Sequence, residues 1–253
     1  MFAPIPYARY SFPDNLTGET NLQKDLSVDA PNMAVFQPVV LDAADAGSVY
    51  ALYKLVDRLT PFGFLARRKL ADFESAFADP DSMVAVGVRE EGRLIAYSIC
   101  QRATCSPYPD NLFLSRIDPA VTPLYVGMGT VVLPDFQGHR LMAQMLDLRR
   151  KLLFERQVHH IAGLVAIDNL LSIGNLLRAG AALLGFHEDE TAMNYIAYGG
   201  DMLSSLNRKS IIITMPVGDR EQQAQLFASG HVAFALRPGK TKQRNMQFLP
   251  LIP

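Results

Sequence analysis

TVVLPDFQGHRLM (130–142) and DNLLSIGNLLRAGA (168–181) are the stretches on which the reading of this chain turns. In the first, an apolar run ends at Pro134, a short turn follows, and a helical pattern starts near residues 138–142. A helix that begins there directs its unpaired N–H groups and positive dipole end at whatever lies beyond the strand. Such a corner seats a diphosphate, and His139 and Arg140 add side-chain donors. An ordinary strand–helix connection has the same pattern. In the second stretch Asn169 stands at a strand end, where its amide can pair with a ligand in a cleft. Ser172, Asn175 and Arg178 follow near one face of a helix, a face turned either to solvent or to a ligand.

Working outward, the spacing predicts a helix from about Arg140 to Arg156. Met142, Met145, Leu146, Leu152 and Leu153 form its apolar side, and Arg149, Arg150 and Lys151 its wet side. HIAGLVAI (160–167) reads as a buried strand, and Gly180 suits the end of a helix over 170–179. LYVGMGTVVL (124–133) is a strand in which Gly127 and Gly129 mark a bulge. Upstream lie a strand over 33–41, helices over 42–59 and 68–78, and a hairpin of 83–89 with 93–103. Asp42 is a candidate N-cap for the first helix. AALLGF and MNYIAY form a closing hairpin around HEDET.

Three parts follow. Residues 1–32, with four prolines, read as an N-terminal arm, and 33–200 as the domain. Residues 201–253 read as a C-terminal extension packed on it, with strands IIITMPVG and HVAFALRP around the helix REQQAQLFASG. The proline-rich stretch 105–123 reads as an irregular insertion, and no internal repeat is evident. The fold class expected is α/β (α+β), a mixed, mostly antiparallel central sheet flanked by helices.

The chain has 253 residues, 49% of them hydrophobic, which is enough to build a core. Lys+Arg 24 against Asp+Glu 25 argues against a nucleic-acid binder that lives on phosphate contacts. Cys100 and Cys105 read as reduced thiols, which fits a cytoplasmic protein. No run approaches the ~18 apolar residues of a membrane helix, and the start lacks a basic flank, so no membrane association is expected.

Other motifs carry less. Gly127-Met128-Gly129 fails as a dinucleotide fingerprint, because the third glycine position is Val132 and the strand runs on into Pro134. Gly239-Lys240-Thr241 lacks the earlier glycine of a phosphate loop, since Phe234 holds that place, and reads as a solvated turn. His187-Glu188-Asp189-Glu190 reads as a hydrated loop and not a metal site, and His159-His160 as structural. No metal is expected.

The two opening stretches together resemble the GNAT superfamily of N-acetyltransferases. Val132, Pro134 and Gln137 fit its acyl-CoA motif. Asn169, Ser172 and Gly180 fit its later signature, and the element order over 33–198 fits its fold. The resemblance implies an acyl-CoA-dependent N-acyltransferase, with acetyl-CoA or another acyl-CoA as co-substrate. A small-molecule or peptide amine would attack the thioester directly, in a monomer or homodimer. Gln137, Gly138, His139, Arg140, Leu141 and Met142 would then hold the diphosphate. The backbone of Thr130, Val131 and Val132 would hold the thioester, with Asn169 and Asn175 alongside.

Arg140 stands where the family motif has glycine, and Met142 where it has a small residue. Leu176 occupies the place of the family's frequent tyrosine, and Leu164 that of its occasional glutamate. Proton transfer must therefore pass to water or another group. The candidates are Asp168, which as an N-cap would be merely structural, Tyr125 on the bulged strand, and Asn175. A non-catalytic acyl-CoA-binding or partner-binding domain of the same fold is the alternative.

Overall fold

The computed structural model describes residues 36–103, 123–188, 193–199, 210–239 and 243–251. The arm over 1–32, Cys105, most of the insertion, and residues 189–192 and 240–242 lie outside them. After the short strand β1 (Pro38–Val40), Asp42 and Asp45 form a capping box that starts a 3₁₀ turn. The turn runs into α1 (Ala46–Asp57), so the helix expected over 42–59 is shorter at both ends. Then follow α2 (Leu70–Ala78) and the hairpin β2 (Met83–Glu90) and β3 (Arg93–Arg102). β4 (Leu124–Val132), α3 (Leu141–Glu155), β5 (His160–Ala166), α4 (Leu170–Arg178), β6 (Ala182–Glu188) and β7 (Met193–Gly199) complete the expected series.

Consecutive residues of β3 show how the layers are set. Tyr97 meets Phe73 of α2 edge-to-face, whereas the Ser98 hydroxyl accepts from Arg149 of α3. Neighbouring strand residues point to opposite faces. One face of the β2–β4 region is thus covered by α1 and α2, and the other by α3. This double cover explains why β2 and β3 are buried almost end to end instead of alternating.

Arg149 corrects the expected wet side of α3. The helix buries Leu141, Met145, Leu146, Arg149 and Leu153, so the guanidinium lies inside.

The C-terminal segment continues the sheet edge to edge. It contributes β8 (Ile213–Pro216), α5 (Arg220–Ala228), β9 (His231–Pro238) and β10 (Arg244–Pro250). The strand order is β1-β2-β3-β4-β5-β7-β6-β9-β10-β8. Every neighbouring pair is antiparallel except β4 with β5.

The absence of an internal repeat is a second correction. β5-α4-β6-β7 and β8-α5-β9-β10 are two copies of one strand–helix–strand–strand unit, with α5 standing fifty positions after α4. Asn169 caps α4 by accepting from Ser172 N, and Asp219 caps α5 by accepting from Gln222 N. Gly180 and Gly230 follow the helices with φ of 88° and 82°. Opposite Leu184 the β6–β7 ladder slips by one residue, and the β9–β10 ladder slips at the matching Phe234. The copies meet where Leu183 pairs with Ala233, its own counterpart. That self-pairing is what a local two-fold axis through the β6–β9 seam produces.

Candidate functional site

The parallel pairing of β4 with β5 lasts only three residues: Leu124 with His160, Tyr125 with Ile161, and Val126 with Ala162. Beyond them the strands part. β4 stays zipped to β3 as far as Val132, and β5 stays zipped to β7 as far as Ala166. The sheet is therefore forked in its middle, and backbone N–H and C=O groups line the two inner edges. Such groups need partners from water or a ligand.

Glycines stand at the root of the fork. A Cβ on Gly127 would lie 3.7 Å from the Ala162 carbonyl oxygen, and one on Gly163 would lie 3.9 Å from the Gly127 nitrogen. The expected bulge in β4 is present: Ile99 faces Gly129 and Cys100 faces Gly127, leaving Met128 as the extra residue. Gly129 has φ of 142°, a backbone shape that disfavours other residues. Thr130, Val131 and Val132 follow on the freed length of β4.

β4 ends in a 3₁₀ turn at Pro134–Phe136 that leads to α3. Gly138 has φ of 87°, and Arg140, which caps α3, sits in the left-handed region at 59°. The motif's glycine position is thus held by an arginine in a glycine-like conformation. Among the described residues no side chain caps this helix, and its first hydrogen bond runs from Gln144 N to Arg140 O. The N–H groups of Leu141, Met142 and Ala143 consequently have no acceptor within the helix. His139 Nδ1 lies 3.2 Å from the Phe136 carbonyl, and its ring meets Phe36 edge-on.

Asn175 joins this corner to α4. Its amide nitrogen donates to Met142 Sδ at 3.2 Å, and its oxygen accepts from Arg178. Arg140, Arg178 and His139 thus stand around the helix end, with Asp135 on the preceding turn. A helix N-terminus with two arginines beside it favours an anion.

The structure does not bring every expected residue here. Tyr125 lies in the paired end of β4, 1% exposed, with its hydroxyl donating to the Asp81 carbonyl oxygen at 2.9 Å. The tyrosine that reaches the bulge is Tyr97, whose hydroxyl would lie 3.9 Å from a Cβ at position 129. Burial pushes its pKa far up, so it acts as a neutral hydroxyl. Nothing in the sequence pattern of β3 marked it.

Asp168 is not the cap of α4, since Asn169 holds that place. Its exposed carboxylate pairs with Arg220 of α5 at 3.1 Å. Leu164 and Leu176 are partly buried in apolar clusters. Cys100 is buried, and burial raises its thiol pKa, so it is no nucleophile.

Similarity to known proteins runs through structure. No protein-family model and no curated protein sequence matches the chain. Among solved structures, the aminoglycoside acetyltransferase AAC(6')-Ib in complex with paromomycin and acetyl-CoA is 17% identical, with a TM-score of 0.50. The match covers 70% of this chain and 99% of that one. The ribosomal-protein-alanine N-acetyltransferase of Brucella melitensis is 15% identical, also with a TM-score of 0.50, over 64% and 98% of the two chains. The fold is that of the GNAT acetyltransferases.

Proposed function

We propose that this protein is an acyl-CoA-dependent N-acyltransferase whose site is the β4–β5 fork and the N-terminus of α3. The observation that carries the reading is their placement. One strand, β4, supplies the inner edge of the fork and leads through a single turn to an uncapped helix end. A CoA diphosphate would take the N–H groups of Leu141, Met142 and Ala143, with Gln137, Gly138, His139 and Arg140 around it. The pantetheine amides would enter the fork, and the backbone at Thr130–Val132 would hold the thioester. Asn169, the cap of α4, and Asn175, which donates to Met142, would lie alongside the ligand from α4.

In the reaction the amine nitrogen attacks the thioester carbon. An N–C bond forms, the C–S bond breaks, and the sulfur leaves as thiolate. The proton lost by the amine is carried by water to solvent or to that thiolate. Asp168 is the carboxylate at the end of β5, and an ionisation in the kcat/KM profile that Asp168→Asn removes would make it the base.

The test is to mix protein with acetyl-CoA and a panel of amines, follow free thiol, and measure binding by calorimetry. Thiol release with at least one amine supports the reading. The absence of family acid and base groups at Leu164 and Leu176 favours a second one, a domain that binds acyl-CoA without turnover. Binding without thiol release for any amine would establish that instead.

A further inference from the structure

Arg149 is the one charged residue on the buried stripe of α3, and it is 7% exposed. Among the described residues no carboxylate lies within ion-pair reach of it. Its Nη1 donates to Ser98 Oγ at 2.8 Å, and its Nε has no hydrogen-bond partner among the described residues. Ser98, itself 0% exposed, lies 2.8 Å from Thr130 Oγ1. Thr130 sits just past the bulge, on the length of β4 that has left β5.

A buried guanidinium without a counter-anion is costly, and a leucine or methionine would fill this stripe more cheaply. The arrangement has a direction, however. Arginine can only donate, so Ser98 accepts from it and has its own proton to give to Thr130. Thr130 then has its proton to give elsewhere. Hydrogen bonds in such a chain polarise one another, and a buried cation at its head strengthens the last donor.

We propose that Arg149 is a positioning residue that, through Ser98, turns the Thr130 hydroxyl into a hydrogen-bond donor for the carbonyl oxygen of a bound acyl thioester. The inference rests on the fork being the acyl-CoA site. As the amine adds, negative charge grows on that oxygen and returns to carbon when the C–S bond breaks. Thr130 keeps its proton throughout. Stabilising the oxygen at its most charged raises kcat more than it tightens ground-state binding.

The test measures Kd for acetyl-CoA and for CoA by calorimetry, and kcat and KM by thiol release, on the full chain. Thr130→Val lowers kcat about 10-fold or more with KM for acetyl-CoA within about 3-fold, and Thr130→Ser, which keeps the hydroxyl, restores most of it. Arg149→Met lowers kcat likewise in the wild type but has no further effect in a Thr130→Val background, because the two act as one chain. If Arg149→Met fails to fold, Ser98→Ala takes its place in the same cycle. Independent, multiplicative effects, or a Thr130→Val enzyme with wild-type kcat, overturn the relay.

If the wild type binds acetyl-CoA but releases no thiol, the catalytic reading fails by itself. The Kd ratio then decides. A preference for acetyl-CoA over CoA that Thr130→Val abolishes supports the donor, and an unchanged ratio overturns it. A wild type that binds neither ligand removes the site on which both readings rest.

Discussion

The two strand–helix–strand–strand units have one architecture and very different surroundings. In the first, β5 lies beside β4 and parts from it to make the fork. In the second, the matching strand β8 is the last strand of the sheet and has no neighbour on that side among the described residues. Asn175 of the first unit reaches the N-terminus of α3, while its counterpart Gln225 meets no such helix among the described residues. Caps, turns and a bulge define the unit. The neighbour defines the site.

The interiors differ too, and this difference is the easiest to break. Where the first unit has Ile173, the second has Gln223, also 0% exposed. Its amide accepts from Tyr195 of the first unit at 2.7 Å and donates to the carbonyls of Pro216 and Val217. Phe227, the counterpart of Leu177, packs against Phe186 and Tyr195 of the first unit and Phe248 of its own. The units therefore share one core.

The largest effect expected is at that core. Phe227→Ala should lose about 4 kcal/mol and Leu177→Ala about 3 kcal/mol in urea unfolding, each in a single transition. Two separate transitions would show that the units fold independently. Next, Gln223→Ile, which copies the first unit, should cost about 2 kcal/mol because it takes the partner from the buried Tyr195 hydroxyl and from the Val217 carbonyl, while the Pro216 carbonyl still accepts from Asp219 N. A neutral result would mean that water takes over those bonds.

The caps sharpen the comparison at smaller scale. Asn169→Ala and Asp219→Ala should each cost about 1 kcal/mol of stability. Only Asn169→Ala should also weaken acetyl-CoA binding, as titration calorimetry of the two variants would show. Equal losses of affinity would place the ligand elsewhere.

Smallest is Arg140→Gly, which relieves a left-handed arginine and should gain about 0.5 kcal/mol after the extra flexibility of glycine is counted. Arg140→Glu should weaken acetyl-CoA more than Arg140→Gly does, because it places an anion at the helix end. Equal damage from both would make this side chain structural. Gly138→Pro is unsuitable as a probe, since φ of 87° excludes proline whatever binds.

Much of this architecture was legible because it rests on local chemistry. The bulge glycines, the Gly180 helix stop and the apolar β5 all follow from residue type. The repeat was hidden because turn chemistry conserves little identity. Between 167–188 and 217–238 only Leu176 with Leu226 and Gly180 with Gly230 match. β10 was missed because RNMQFLP mixes polar and apolar residues, although Met246 and Phe248 are fully buried.

In the candidate site, helix-start signals located the α3 corner, but burial reversed two side chains. Arg149 opens the basic run Arg149-Arg150-Lys151, but it packs against β3 through Ser98. Tyr125 and Tyr97 are both strand tyrosines, and only the positions of their hydroxyls, one on the Asp81 carbonyl and one near Gly129, show which of them reaches the bulge.

Backbone amide hydrogen exchange with and without acetyl-CoA tests the central claim most directly, because the fork and the helix end offer backbone groups. The account predicts slower exchange on adding acetyl-CoA at residues 127–132 and 141–143, and none at β8, the structural counterpart of β5. Unchanged exchange at the fork and helix end, or protection confined to β8 and α5, would contradict it.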